Sequence, residues 1–95
     1  MTAELITIHC LPRGHGWECR VELGGQPHDE GYVVGVSRAD LARLTPGYDE
    51  PVELVEASFR FLLEREPASS ILRDFAISDI ARYFPDYPDE IIRRV

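Results

Sequence analysis

The sequence predicts an α+β fold, in which a three-stranded antiparallel β-meander precedes three or four short helices that cover one face of the sheet. Two observations favour this class: apolar residues alternate at a period of two in the first third of the chain and recur at helical spacing later. Turn-forming clusters separate these stretches. The chain of 95 residues and 10.8 kDa is expected to form one domain spanning 1–95, since a chain of this size buries about 65% of its surface around one core.

The first two strands are predicted over 4–10 and 17–23, separated by a stretch rich in glycine and proline. In a hairpin whose paired residue numbers sum to 29, all the alternating apolar residues fall on one face. This register pairs Ile6 with Leu23 and Cys10 with Cys19. The two cysteines are therefore expected to be neighbours that face the core.

The third strand is predicted over 31–37, where Tyr32-Val33-Val34-Gly35-Val36 is rich in β-branched residues. A short helix over 38–44 follows, with Ser37 or Asp40 as its cap. Pro51 is suited to the first helical position, so a longer helix is predicted over 51–65. Three further helices are expected over 69–75, 78–84 and 88–94, with serine caps before the first two and prolines at the boundaries.

The charge of the chain disfavours nucleic-acid and anionic-membrane partners. Seventeen acidic residues against ten arginines give a net charge of −7, and residues 49–95 alone carry −5. Such a surface repels phosphate and favours a basic protein partner, although it can also serve only to keep the protein in solution. No apolar run has the roughly 20 residues of a membrane span, and no basic segment precedes the N-terminal apolar stretch. A cytoplasmic location with reduced thiols is expected.

No pattern in the sequence indicates an active site or a cofactor. Cys10, Cys19, His9, His15 and His28 are candidate metal ligands, but the cysteines are nine residues apart and the hairpin register turns His9 away from them. No phosphate-binding loop, nucleophile elbow or metalloprotease motif is present. We expect no enzymatic activity, no cofactor and no metal. An enzyme using Cys10, Cys19 and His15 remains a minor alternative.

The segment 69–84 loosely resembles a helix-turn-helix. It contains only two basic residues, Arg73 and Arg82, whereas a recognition helix normally brings several contacts to bases and phosphates. A transcriptional regulator that uses this segment is the leading alternative function.

The predicted helix over 51–65 is apolar over a wider arc than one-sided packing on a three-stranded sheet requires. The sequence also places six aromatic residues between Phe59 and Tyr87. If part of this apolar arc stays exposed, it would mark a contact with a partner protein or a second copy of the chain. The alternative is that the later helices cover the whole arc. The predicted interface residues are Leu54, Phe61, Tyr83 and Tyr87.

One stretch resembles the C-terminal block of short bacterial proteins that are described only as hypothetical. It runs from Ser58 to Pro67 as SFRFLLEREP, continues with Ser70-Ile71-Leu72, and ends with Tyr83-Phe84-Pro85. The resemblance covers about residues 52–90 and implies a small bacterial, cytoplasmic protein. It implies no catalytic or binding residue.

The predicted function is therefore that of a small acidic interaction or accessory module without catalytic activity. Such a module acts by binding another protein or its own copy, as an antitoxin-like neutraliser or as a regulatory subunit.

Overall fold

The computed structural model describes residues 5–24 and 31–95 and confirms the α+β class with its N-terminal β-meander. The strands are β1 (Ile6–Arg13), β2 (Gly16–Leu23), β3 (Tyr32–Ser37) and β4 (Asp74–Ala76). The helices are α1 (Arg38–Leu44), α2 (Val52–Arg65), α3 (Ile80–Tyr83) and α4 (Tyr87–Arg94), with 3₁₀ turns at Ala68–Ser70 and Ile77–Asp79. The sheet has the strand order β1-β2-β3-β4.

The β1–β2 hairpin has the predicted register, with Ile6 opposite Leu23 and Cys10 opposite Cys19. Both strands run further towards the turn than predicted, because only Gly14 and His15 connect them. Gly14 has a φ of 59°, a conformation that type II′ hairpin turns require at their first central position. Pro12 is tolerated in β1 because β1 is an edge strand.

Cys10 and Cys19 are joined by a disulfide, so the prediction that they are neighbours is confirmed and the prediction of reduced thiols is wrong. Their Cα atoms lie 4.0 Å apart, which brings the two sulfur atoms together across the strands. The expectation of free thiols rests on the cellular compartment rather than on this geometry. Cys19 is fully buried and Cys10 is half-buried.

The predicted helix over 69–75 is wrong, because this part of the chain forms one 3₁₀ turn and then β4. β4 pairs parallel to β3, with Val34 opposite Phe75. Parallel strands need a long crossover connection, and α1 and α2 supply it here. The strand inserts Phe75 into the core and leaves its neighbours Asp74 and Ala76 exposed.

The core lies between the inner face of the sheet and α2. The inner face carries Cys19, Val21 and Val34, which are fully buried, and α2 contributes Phe59. The rings of Tyr32 and Phe59 meet edge to face at 5.2 Å. In the described ranges, no helix has the length and apolar content to cross a membrane.

Helix α4 packs against α2 through a buried polar contact. The hydroxyls of Ser58 and Tyr87 lie 2.7 Å apart, and Ser58 also donates to the Leu54 carbonyl at 2.7 Å. Burial raises the pKa of Tyr87 well above its usual range, although the hydrogen bond with Ser58 opposes this shift. Tyr87 is thus a neutral phenol that belongs to the core.

Candidate protein-binding groove

Three of the four predicted interface residues lie inside the chain. Leu54 and Phe61 have no exposed surface and Tyr87 is 1% exposed, so these three assignments to an interface are corrected. Tyr83 is 66% exposed and remains a candidate.

The C-terminal part of the chain covers the wide apolar arc of α2. The rings of Phe84 and Tyr87 meet the Phe61 ring edge to face, at 5.8 and 5.3 Å. The Arg65 guanidinium lies 3.7 Å from the centre of the same ring and also donates a hydrogen bond to Asp86 at 2.8 Å. Phe61 is therefore enclosed by its own chain.

An apolar groove of about 240 Å³ opens between the end of α2, the segment that leads to β4, and α3. We call it the C-terminal groove. It is lined by Leu62, Glu66, Ser70, Ile71, Leu72, Phe75, Asp79, Ile80, Tyr83 and Phe84.

The C-terminal groove exposes large apolar side chains to solvent. Leu72 is 53% exposed and Tyr83 is 66% exposed, whereas Ile71, Phe75 and Ile80 are buried below them. Exposed apolar groups that lie together over a buried floor are characteristic of contact sites rather than of an ordinary surface. The groove therefore offers a partner a concave apolar surface with an aromatic side chain beside it.

Two carboxylates border the C-terminal groove. Asp79 accepts a hydrogen bond from the Ala76 backbone N–H at 3.1 Å, which holds its side chain in place, and its other oxygen is 3.9 Å from Arg82. Glu66 forms no ion pair with the part of the chain that the structure describes. Since the whole chain is acidic, this border favours a partner with basic side chains.

A second cleft, of about 450 Å³, lies near the C-terminus, but three of its charged side chains, Glu56, Arg60 and Arg94, already have partners. Glu56 accepts from Arg60 at 3.0 Å, and Arg94 holds Glu64 with two hydrogen bonds of 2.7 and 3.0 Å. A ligand would have to break these pairs. The C-terminal groove is therefore the better candidate.

The residues considered for metal or thiol chemistry do not converge. The sulfur atoms of Cys10 and Cys19 are bonded to each other, His15 lies in the exposed hairpin turn, and His9 faces away from the core opposite Arg20. His28 lies outside the described residues. Within 5–24 and 31–95, no three metal-ligating side chains form a group.

The helix-turn-helix interpretation of 69–84 does not agree with the structure. The segment holds a 3₁₀ turn, β4, a second 3₁₀ turn and the single-turn helix α3, rather than two packed helices. Sequence reasoning misses Leu72 as a surface residue because it places this leucine within a helix. The position of Leu72 between the buried residues Ile71 and Phe75 gives no clear signal in a segment this short.

Comparison with protein-family models, curated proteins and solved structures finds no significant match to this chain. Functional inference therefore depends on the chemistry of the chain's own surfaces.

Proposed function

We propose that the protein is a small, acidic, non-catalytic module that binds a partner protein through the C-terminal groove. The main support for this proposal is that Leu72 and Tyr83 are exposed beside buried apolar side chains. Carboxylates border the same groove. Binding here would mask or position the partner, as a neutraliser or a regulatory subunit does.

The groove's chemistry defines the partner segment. One apolar side chain would occupy the space between Leu72 and Tyr83, where burial of apolar area supplies most of the free energy. An arginine or lysine beside it would approach Glu66 or Asp79, which adds selectivity and speeds association. We propose no nucleic-acid or membrane partner, because the same carboxylates repel phosphate.

The cellular compartment is part of this proposal. The resemblance to short bacterial proteins implies the cytoplasm, whereas a disulfide is more common in oxidising compartments. We propose a cytoplasmic protein whose Cys10–Cys19 bond is reduced only slowly, because Cys19 is fully buried and Cys10 is half-buried, which limits the access of a thiolate to both sulfur atoms. Cell fractionation with thiol labelling tests this: the protein should fractionate with the cytoplasm with both cysteines protected, and a protein found only outside the cytoplasm would contradict it.

The groove is tested by affinity capture from extract of the native cells, with Leu72→Ala/Tyr83→Ala beside the wild type. Ile92→Ala is the matched control, because Ile92 is 48% exposed on α4 and does not line the groove. Truncating two central apolar contacts is expected to weaken binding at least about tenfold, whereas the control should bind as the wild type does.

The partner captured by the wild type is then titrated against each purified variant. Equal affinity of the wild type and the double variant would contradict the proposal. Circular dichroism of each variant establishes that the fold is retained.

A further inference from the structure

The outer edge of β1 carries backbone hydrogen-bonding groups that pair with no other strand of the described residues. β1 pairs with β2, and no other strand of the described residues adjoins it. The two-residue turn makes Arg13 and Gly16 a hydrogen-bonded pair, so hydrogen-bonded and non-hydrogen-bonded pairs alternate from there. The Gly24 N–H donates to the Leu5 carbonyl at 2.7 Å, so Leu5 and Gly24 also form a hydrogen-bonded pair, as this alternation requires. The N–H and C=O groups of Ile6, Ile8 and Cys10 therefore point away from β2.

This edge carries large apolar side chains on both faces of the sheet, although Thr7 and His9 lie between the two leucines of the outer face. Leu5 and Leu11 are 68% and 67% exposed on the outer face, and Ile6 and Ile8 are only half-buried on the inner face. Residues 5–13 include no acidic residue, although the chain has seventeen. Edge strands are usually protected by charges, proline, bulges or coverage. Pro12 and Arg13 protect only the end of β1 next to the turn, and no described strand pairs with residues 5–11 on this side.

We propose that β1 pairs antiparallel with β1 of a second copy, about a two-fold axis at Ile8, to form one continuous sheet across a homodimer. In this register the paired residue numbers sum to 16. Ile8 meets Ile8 of the second copy, and Leu5 meets Leu11 of the second copy twice, once on each side of the axis. Both exposed leucines are thereby covered.

Two other registers use the same outward-pointing backbone groups, but in them the exposed leucines face polar residues. A sum of 14 places Leu5 opposite His9, and a sum of 18 places Leu11 opposite Thr7. The proposed register also puts the two leucines in non-hydrogen-bonded pairs of the new ladder, where facing side chains are closest. Pro12, which has no N–H to donate, falls at the end of the paired segment.

Sedimentation equilibrium and NMR on the full chain test the proposal. We expect a dimer that dissociates on dilution from millimolar concentration. In an equimolar mixture of ¹³C-labelled and unlabelled protein, isotope-filtered NOEs are expected between the methyl groups of Leu5 and Leu11. These residues lie about 20 Å apart along one strand, so an NOE between them arises only between two copies.

The variants separate this edge from other apolar surfaces. Leu11→Lys is expected to weaken the dimer at least about tenfold, because it places a charge in both leucine pairs. Leu5→Glu/Leu11→Lys is expected to recover part of the affinity in a salt-sensitive way, since the introduced carboxylate of one copy would then face the introduced ammonium group of the other. Leu72→Lys, which changes another exposed leucine, in the C-terminal groove, should leave the dimer unchanged.

A wild type that stays monomeric at millimolar concentration overturns the proposal. So does a dimer that lacks the Leu5–Leu11 NOE or resists Leu11→Lys. Circular dichroism of each variant confirms that a loss of association is not a loss of fold. Binding of a partner in the C-terminal groove does not enter these measurements, so the two proposals stand or fall separately.

Discussion

At the scale of single residues, the Cys10–Cys19 disulfide joins two strands that the turn at Gly14 and His15 already holds together. The two cysteines are separated by nine positions in sequence, so the bond closes a short loop. In the chain-entropy description, a loop of this length contributes at most about 2.6 kcal/mol by restricting the unfolded chain. The partly buried pair also packs on the inner face of the sheet, where small apolar side chains are suited.

We therefore predict that Cys10→Ala/Cys19→Ala folds with the same hairpin register and loses up to about 2.6 kcal/mol in its free energy of unfolding, apart from the packing lost with the sulfur atoms. Urea denaturation of the oxidised wild type, the reduced wild type and the double variant measures separately the contribution of the covalent bond and that of the packing of the sulfur atoms. The reduced wild type isolates the covalent bond, because it keeps both side chains. A reduced protein as stable as the oxidised one would contradict the prediction.

At the scale of elements, an ion pair between Arg94 of α4 and Glu64 of α2 joins the two helices. Arg94 donates two hydrogen bonds to the Glu64 carboxylate and lowers the pKa of Glu64 below its ordinary value of 4.5. A lowered pKa in the folded state stabilises the fold above pH 4.5, and this contribution is lost as the pH falls through the folded pKa. Because the Glu64 side chain is 56% exposed, solvent screening keeps the contribution small.

Glu64→Gln is expected to lower the free energy of unfolding at pH 7 by less than about 1 kcal/mol and to make it less dependent on pH below pH 4.5. Glu56→Gln is the matched control, since Glu56 pairs with Arg60 within α2 and joins no second helix. Hydrogen exchange of the α4 amides should increase in Glu64→Gln and not in Glu56→Gln. Equal effects of the two substitutions would show that Arg94 does not fasten α4.

The sequence predicts the elements whose signals are local. Ile8 and Val21 lie on a period-two pattern that the observed register satisfies. Pro51 marks the start of α2 as predicted, although it lies at the N-cap rather than at the first helical position. β4 has three residues, too few for a pattern, and its parallel pairing with β3 is decided by tertiary packing of Phe75. Sequence reasoning therefore predicts a helix where the protein has this strand.

The candidate site is predictable only in part. Tyr83 is exposed, as a contact residue must be, but Leu54, Phe61 and Tyr87 are buried, and the rings of Phe61 and Tyr87 cover each other between α2 and α4. The amphipathic pattern of α2 predicts the width of its apolar arc, but it does not predict which later element covers that arc. Leu72 joins the groove because the chain between the 3₁₀ turn and β4 is irregular rather than helical.

At the scale of the whole molecule, most arginine side chains lie beside carboxylates or aromatic rings, which disfavours the binding of phosphate groups. The chain has ten arginines against seventeen acids. Among the residues that the structure describes, eight arginines lie within ion-pair distance of a carboxylate, and Arg38 and Arg73 lie 4.9 Å from the rings of Trp17 and Tyr32. A nucleic acid would have to compete with these carboxylates for each arginine while approaching a net charge of −7.

We therefore predict no duplex DNA binding at physiological salt, with a dissociation constant weaker than about 10⁻⁴ M. Fluorescence anisotropy of a labelled duplex, titrated with the protein at physiological and at low salt, measures this. Any affinity seen only at low salt should vanish as salt rises, because it would come from counterion release alone. Micromolar binding that persists at physiological salt and is weakened by Arg73→Ala or Arg82→Ala would instead identify the 69–84 segment as a nucleic-acid contact, despite its lack of paired helices. The ion pair of Arg82 with Asp79 and the position of Arg73 over Tyr32 are the reasons to expect that it does not occur.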